Sequence, residues 1–178
     1  MQTPRLAWAI TGSGHYIEEC IEFMLSLNHV DLYLSQAGEE VLKMYGISLN
    51  ELKNRMPVYR DKAASSPPVG LFYKGYYHTL VMAPTTSNTM AKCALGIGDS
   101  LVTNLYAQAG KCRVESIVYP CDTGPELETT APGKKKFMVY PRPIDLEATE
   151  KLRSFPYTEV VNNVEQLVVS VHTRLANL

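Results

Sequence analysis

The chain has 178 residues, of which 46% are hydrophobic and 20% charged, a balance that suits one domain with a real core. A formal net charge of −1 gives no field favouring nucleic acid or an anionic membrane, and no apolar run approaches the ~20 residues of a membrane span. Cys20, Cys93, Cys112 and Cys121 show no CxxC spacing, so zinc and iron–sulfur sites lack support and no metal is expected.

The opening "MQTPRLAWAIT" lacks a signal peptide's long apolar segment and cleavage site, which makes the cytoplasm the expected location. "RLAWAI" (5–10) reads as a buried strand that ends in "TGSGHY". In "IEECIEFMLSL", Ile17, Ile21, Met24 and Leu25 share one helical face. "VDLYL" (30–34) is a second strand, and "SQAGEEVLKMYG" a helix stopped by Gly46. Residues 47–60 have room for another short helix, and 61–77, with Ser-Ser-Pro-Pro punctuation, read as a surface loop.

"HTLVMA" (78–83) is the next strand, leading into "APTTSNTMAKCALGIGD", whose helix closes around Gly96 and Gly98. Asp99 or Ser100 caps a further helix with Leu101, Val102, Leu105 and Ala109 on one face. Strands follow at 114–120, 135–141 and 158–161. The last helix carries Val164, Leu167, Val168, Val171 and Leu175, with Asn162 and Glu165 spaced as a capping box. Strands alternating with crossover helices predict an α/β fold over residues 1–178. It is a doubly wound, mostly parallel sheet with helices on both faces, Rossmann- or flavodoxin-like, in a single domain. Ligands of such sheets bind at the carboxyl ends of the strands, where both polar clusters lie.

"TGSGHY" departs from a dinucleotide fingerprint. Counting from Gly12, the third glycine falls on Ile17, and the second strand ends in Ser35-Gln36 rather than an acid. A glycine turn at a helix start still holds a single phosphate through backbone N–H groups, with Ser13 and Ser35 adding hydroxyls, so a mononucleotide fits better. A tight turn without ligand is the plainer alternative. Helix capping needs one of the polar residues in Thr85–Thr89, and the chain supplies five in a row.

"ITGSGH", Ser35 and "APTTSNTMAKCALGIGDSLVTNL" together resemble the homo-oligomeric flavin-containing cysteine decarboxylase superfamily, over residues 5–125. The family's Pro-Ala-Ser-Ala-Asn-Thr segment stands here as Pro84-Thr85-Thr86-Ser87-Asn88-Thr89, followed by Lys92 and the Gly96–Asp99 match. The resemblance implies FMN as cofactor, with Gly12, Ser13, Gly14 and His15 at its phosphate loop. Ser35 and Thr86, Ser87, Asn88 and Thr89 are the further cofactor-binding positions. It also implies a homo-oligomer built on trimers, with the flavin near a subunit boundary.

Departures from the family pattern select the branch. Positions 69–71 lack the decarboxylase histidine, and "YPCDTGP" replaces the Pro-x-Met-Asn signature. Pro120 or Cys121 stands where prenyltransferases carry an arginine. What remains is similar to the dihydromethanopterin reductase and archaeal flavoprotein branch. The implied activity is an FMN-dependent oxidoreductase that reduces dihydromethanopterin to the tetrahydro form by hydride transfer, drawing on NAD(P)H or a redox protein. A non-catalytic flavin carrier or storage protein is the alternative, and a flavin-dependent cysteine-type decarboxylase the second. Catalytic residues stay unassigned, with Asp122 and His15 as candidates. Tyr73, Tyr76 and Tyr77 are candidates for stacking on the pterin substrate. Nucleic acid and membrane are not expected partners.

Overall fold

The computed structural model describes residues 5–63 and 66–178, and in it the parallel α/β architecture expected from sequence is present with further elements added. The first four residues, and Ala64 and Ser65 of the predicted 61–77 loop, lie outside the described residues. The chain runs β1 (Arg5–Ile10), α1 (Ile17–Ser26), β2 (Val30–Leu34), α2 (Gln36–Met44), α3 (Leu49–Arg55) and β3 (Val58–Arg60). A 3-10 helix over Pro67–Leu71 then leads to β4 (Tyr77–Thr85), α4 (Ser87–Leu95), α5 (Leu101–Lys111) and β5 (Glu115–Pro120). β6 (Leu127–Ala131), β7 (Lys135–Val139), α6 (Pro143–Arg153), β8 (Thr158–Val160) and α7 (Val164–Ala176) complete it.

Six strands form one parallel sheet in the order β3-β2-β1-β4-β5-β8. β1 shows why it is central. Leu6, Trp8 and Ile10 enter the core on the α1 and α7 side, while Ala7 and Ala9 enter the core beneath α4 and α5. A strand buried on both faces has no polar side to alternate with, so its sequence is a continuous apolar run. Trp8 is fully buried, and its indole N–H donates to the Ala83 carbonyl of β4 at 2.8 Å. The strand order reverses between β1 and β4, and there a doubly wound sheet opens its ligand crevice.

Four expectations change. The strand foreseen at 135–141 is β7, which leaves the parallel sheet and pairs antiparallel with β6 in a separate hairpin. α6 was not foreseen; it starts at Pro143 and packs against α4 through small residues such as Ala148 and Thr149. The 61–77 loop carries a 3-10 turn at its proline pair. α7 is capped by Asn163, which accepts from Gln166 N at 2.8 Å, whereas Asn162 donates its own N–H to the Gln166 side chain. Of the two caps proposed for α5, Ser100 is used, in a reciprocal box with Thr103.

The amino end of the sheet is held by a buried charge. Asp31 is completely buried, and Arg5 Nε donates to it at 2.6 Å. Tyr77 OH donates to the second carboxylate oxygen at 2.8 Å and shares a 2.7 Å bond with Tyr33 OH. Removing one partner of such a group leaves a buried charge unpaired, which is strongly destabilising.

At the same end α7 docks through Arg174, which donates to the His78 carbonyl and to Thr79 Oγ1. Burial, with the Arg174 charge beside it, pushes the His78 imidazole down to about 4. An unfolded histidine titrates near 6.5. Between those values the unfolded chain binds more protons, so stability is complete above about 6.5 and falls as the pH drops toward 4. Urea midpoints measured from pH 7 to pH 4 should therefore decline in the wild-type chain and decline less in His78→Gln. Equal slopes would remove His78 from the acid response.

Candidate functional site

The loop Thr11–Tyr16 leaves the carboxyl end of β1 at the crevice. Among the described residues, the N–H groups of Gly12, Ser13 and Gly14 meet no protein acceptor. Ser13 is buried, and its Oγ accepts from His15 N at 3.2 Å. Ser35 caps α2, accepting from Gly38 N at 2.9 Å. Its hydroxyl proton is not used by that bond, because a serine oxygen accepts and donates separately. Opposite, Thr86 caps α4 through Thr89 N, and Thr89 Oγ1 lies 3.0 Å from Thr86 Oγ1. Asn88 is exposed in the first turn of α4, with its backbone N–H free among the described residues. Free N–H groups and hydroxyls at two helix starts form a donor set for an anion and a polar ring edge.

Thr11 ties the halves together. Its N–H and hydroxyl both donate to the Pro84 carbonyl, at 3.3 and 3.2 Å, and its Oγ1 accepts from Thr86 N at 2.8 Å. Cys121 N donates to the Thr85 carbonyl at 2.8 Å, bringing the end of β5 into the same crevice. Ser87 donates its hydroxyl to Asp122 Oδ2. The sulfur of Cys121 sits beside the Ser13 and Ser87 hydroxyls, and burial pushes its thiol up to about 11. At neutral pH it is a protonated thiol, not a nucleophile.

The hairpin β6–β7 folds over the loop. His15 Nδ1 and Thr129 Oγ1 are 3.0 Å apart, and Tyr45 OH donates to the Thr130 carbonyl at 2.7 Å. The cleft between hairpin and crevice measures about 340 Å³ and includes Gly12, Ser13, Thr86, Cys121 and Asp122 in its walls. It continues outward into a cavity of about 580 Å³ between α1, Tyr45 and the turn of the hairpin. Burial lowers the His15 imidazole below its usual range, partly opposed by the Asp122 charge.

The structure thus brings together Gly12, Ser13, Gly14, His15, Ser35, the Thr86–Thr89 segment and Asp122. It does not bring the tyrosines there. Tyr77 opens β4 at the amino end of the sheet and spends its hydroxyl on Asp31 and Tyr33. Tyr76 packs edge-on against Tyr77, and Tyr73 is exposed and bonds Gln108. The three candidates for the substrate therefore lie outside the crevice, because an aromatic cluster just before a strand sits at the amino end of the sheet. Tyr45 was missed. Its link to the hairpin spans 85 residues and left no local signal.

Lys92 and Asp99, matched in the flavin motif, form a 2.7 Å ion pair that closes the end of α4, away from the crevice. Among the described residues, no group of three His, Cys, Asp or Glu is placed to hold a metal, and no helix is long and apolar enough to cross a membrane.

The family model described as Flavoprotein matches residues 1–177. The chain belongs to that family. An uncharacterized protein of Methanocaldococcus jannaschii is 36% identical over 92% of this chain and 91% of its own length. Dihydromethanopterin reductase (acceptor) of Methanosarcina mazei is 40% identical over 68% of this chain. The match spans only 56% of that reductase. The solved structure of DmrB of Burkholderia xenovorans in complex with FMN, described as a cubic protein cage for redox transfer, is 46% identical. It superposes with a TM-score of 0.91 over 98% of this chain and 96% of that one.

Gly12 has a reason besides a ligand. A Cβ added there would lie 2.7 Å from Ala37 Cβ in the first turn of α2. Gly12→Val therefore presses on α2. Gly12→Ala should lower stability by about 1–3 kcal/mol, the usual cost of overpacking. Adding Ala37→Gly should recover part of that loss in thermal unfolding. No recovery would mean that the loop, rather than its contact with α2, sets the cost.

Proposed function

We propose that the chain is an FMN-dependent reductase of the dihydromethanopterin reductase type, passing hydride to a C=N bond of a dihydropterin to give the tetrahydro form. The observation that carries this is the donor set at the β1–β4 crevice in a chain 46% identical, nearly end to end, to a protein solved with FMN. The residues fit that cofactor. Three unpartnered loop N–H groups with Ser13 and Ser35 suit its phosphate, and the Thr86–Thr89 turn suits a polar ring edge.

FMN, when bound, supplies the hydride chemistry, and the protein's contribution is orientation and exclusion of water. Thr11 fixes the distance between phosphate loop and ring-binding turn. The hairpin, pinned at His15 and Tyr45, covers the crevice. His15, lowered by burial, holds its hairpin contact in the neutral form at pH 7. Cys121 stays protonated, which disfavours covalent chemistry at the end of β5. Reducing equivalents come from NAD(P)H or a redox protein.

The test is anaerobic stopped-flow. FMN-loaded, chemically reduced protein mixed with dihydromethanopterin should be reoxidised faster than in buffer. A rate equal to the buffer control would leave a flavin carrier, not a reductase.

The assembly belongs to the same reading. Phe137 and Met138 on the two faces of β7, Tyr140 just after it and Ile144 in the first turn of α6 are all exposed. Such an apolar surface is unusual for a monomer. A cover for it is a second copy of the chain in a closed homo-oligomer built on trimers. Sedimentation at micromolar concentration should give a mass several times 19.8 kDa. A compact FMN-loaded monomer would overturn this.

A further inference from the structure

Most polar groups in the crevice donate, and one does not. Among the described residues walling the 340 Å³ cleft, Asp122 is the one carboxylate. An ionised carboxylate only accepts hydrogen bonds. Ser87, buried in the first turn of α4, donates its single hydroxyl proton to Oδ2. The second oxygen, Oδ1, has no partner among the described residues. Other charges do not claim it. His15 is lowered by burial, and the nearby Arg142 commits its fork to Asp145 at 2.9 and 2.7 Å.

A phosphate would be repelled by this group, and so would the carbonyls of a flavin's imide edge, where one N–H stands between two C=O groups. A 2-amino-4-oxopyrimidine ring is different. Its ring N–H and exocyclic amino group lie side by side, and a carboxylate accepts from both at once.

We infer that Asp122 is the specificity-determining residue of the substrate site, reading the paired N–H groups of a 2-amino-4-oxopyrimidine ring, with Ser87 as its positioning residue. The inference rests on the FMN-reductase reading and names what distinguishes substrate from cofactor in one crevice. Ser87 holds one carboxylate oxygen so that the pair cannot rotate away from the ring plane.

The probes are 6,7-dimethylpterin and 6,7-dimethyllumazine, which differ in carrying an amino group or an oxygen at ring position 2. Each is titrated calorimetrically into the FMN-loaded wild-type chain, with flavin content measured alongside. The wild-type chain should prefer the pterin by about tenfold to a hundredfold, the range for hydrogen bonds to a charged group. Asp122→Asn should bring the ratio close to one, since its amide presents a donor where the ring also donates. Ser87→Ala keeps the charge and should weaken the preference without abolishing it. Equal affinity in the wild type, binding of neither probe, or a preference that survives Asp122→Asn would each overturn the inference. Failure of the wild-type chain to retain FMN would instead strike the function on which it rests.

Discussion

One hydroxyl holds the two halves of this crevice in register. Thr11 follows the last residue of β1, is almost wholly buried, and both donates to Pro84 and accepts from Thr86. Those two residues flank the end of β4, so the loop after one central strand and the helix after the other form one rigid unit. The parallel sheet makes this possible by placing β1 beside β4 with a reversal of strand order between them. A threonine elsewhere on the surface would exchange such bonds with water at little cost. Here the partners are desolvated, and an unmade bond would leave buried groups unsatisfied.

Around that tie, the capping side chains keep hydrogen-bonding capacity in a second direction. Ser35 and Thr86 each accept from a backbone N–H of the helix they start; the Ser35 hydroxyl proton is not used by that bond, while Thr86 shares a second bond with the Thr89 hydroxyl. Asking whether such a residue caps a helix or binds a ligand therefore poses a false choice. A side chain fixed by its cap is already oriented toward whatever lies outside the helix. Asn88 is the contrasting case. It caps nothing and is exposed, so its side chain is left free for recognition.

The legible parts of the sequence were those where burial writes a continuous signal. β1, β2, β4 and β5 read as apolar runs because both faces of a parallel sheet are covered. The hairpin was half legible. β7 appeared as a strand, but β6, "LETTA", alternates half-buried and exposed positions and its polar residues resemble a loop. Its turn carried a usable sign: Gly133 and Lys134 both adopt positive φ, at 82° and 62°, after a proline. α6 hid because its buried face is built from Ala148, Thr149 and Leu152 instead of a run of large side chains. Its usable sign was Pro143 at the first helical position, with Asp145 returning to Arg142 N at 2.9 Å.

At the site, local motifs were readable and long-range partnerships were not. The glycine loop and the Thr86–Thr89 turn announce themselves because each needs neighbouring residues of a given type. Tyr45 does not, since its meaning comes from a contact with Thr130 that only the fold creates, and Asp122, a candidate from sequence, finds its partner Ser87 only in the fold. Tyr77 shows the reverse error, in which a suggestive composition is consumed by structure. Its hydroxyl donates to Asp31 beside the Arg5 contact and is itself held by Tyr33, so among the described residues it completes the shell of that carboxylate. The sheet thereby separates its polar investments by end. At the amino ends a carboxylate is neutralised and sealed for stability. At the carboxyl ends Asp122 is held on one oxygen by Ser87, and among the described residues its other oxygen has no partner, so the open polar capacity of the sheet gathers at the end where its ligands bind.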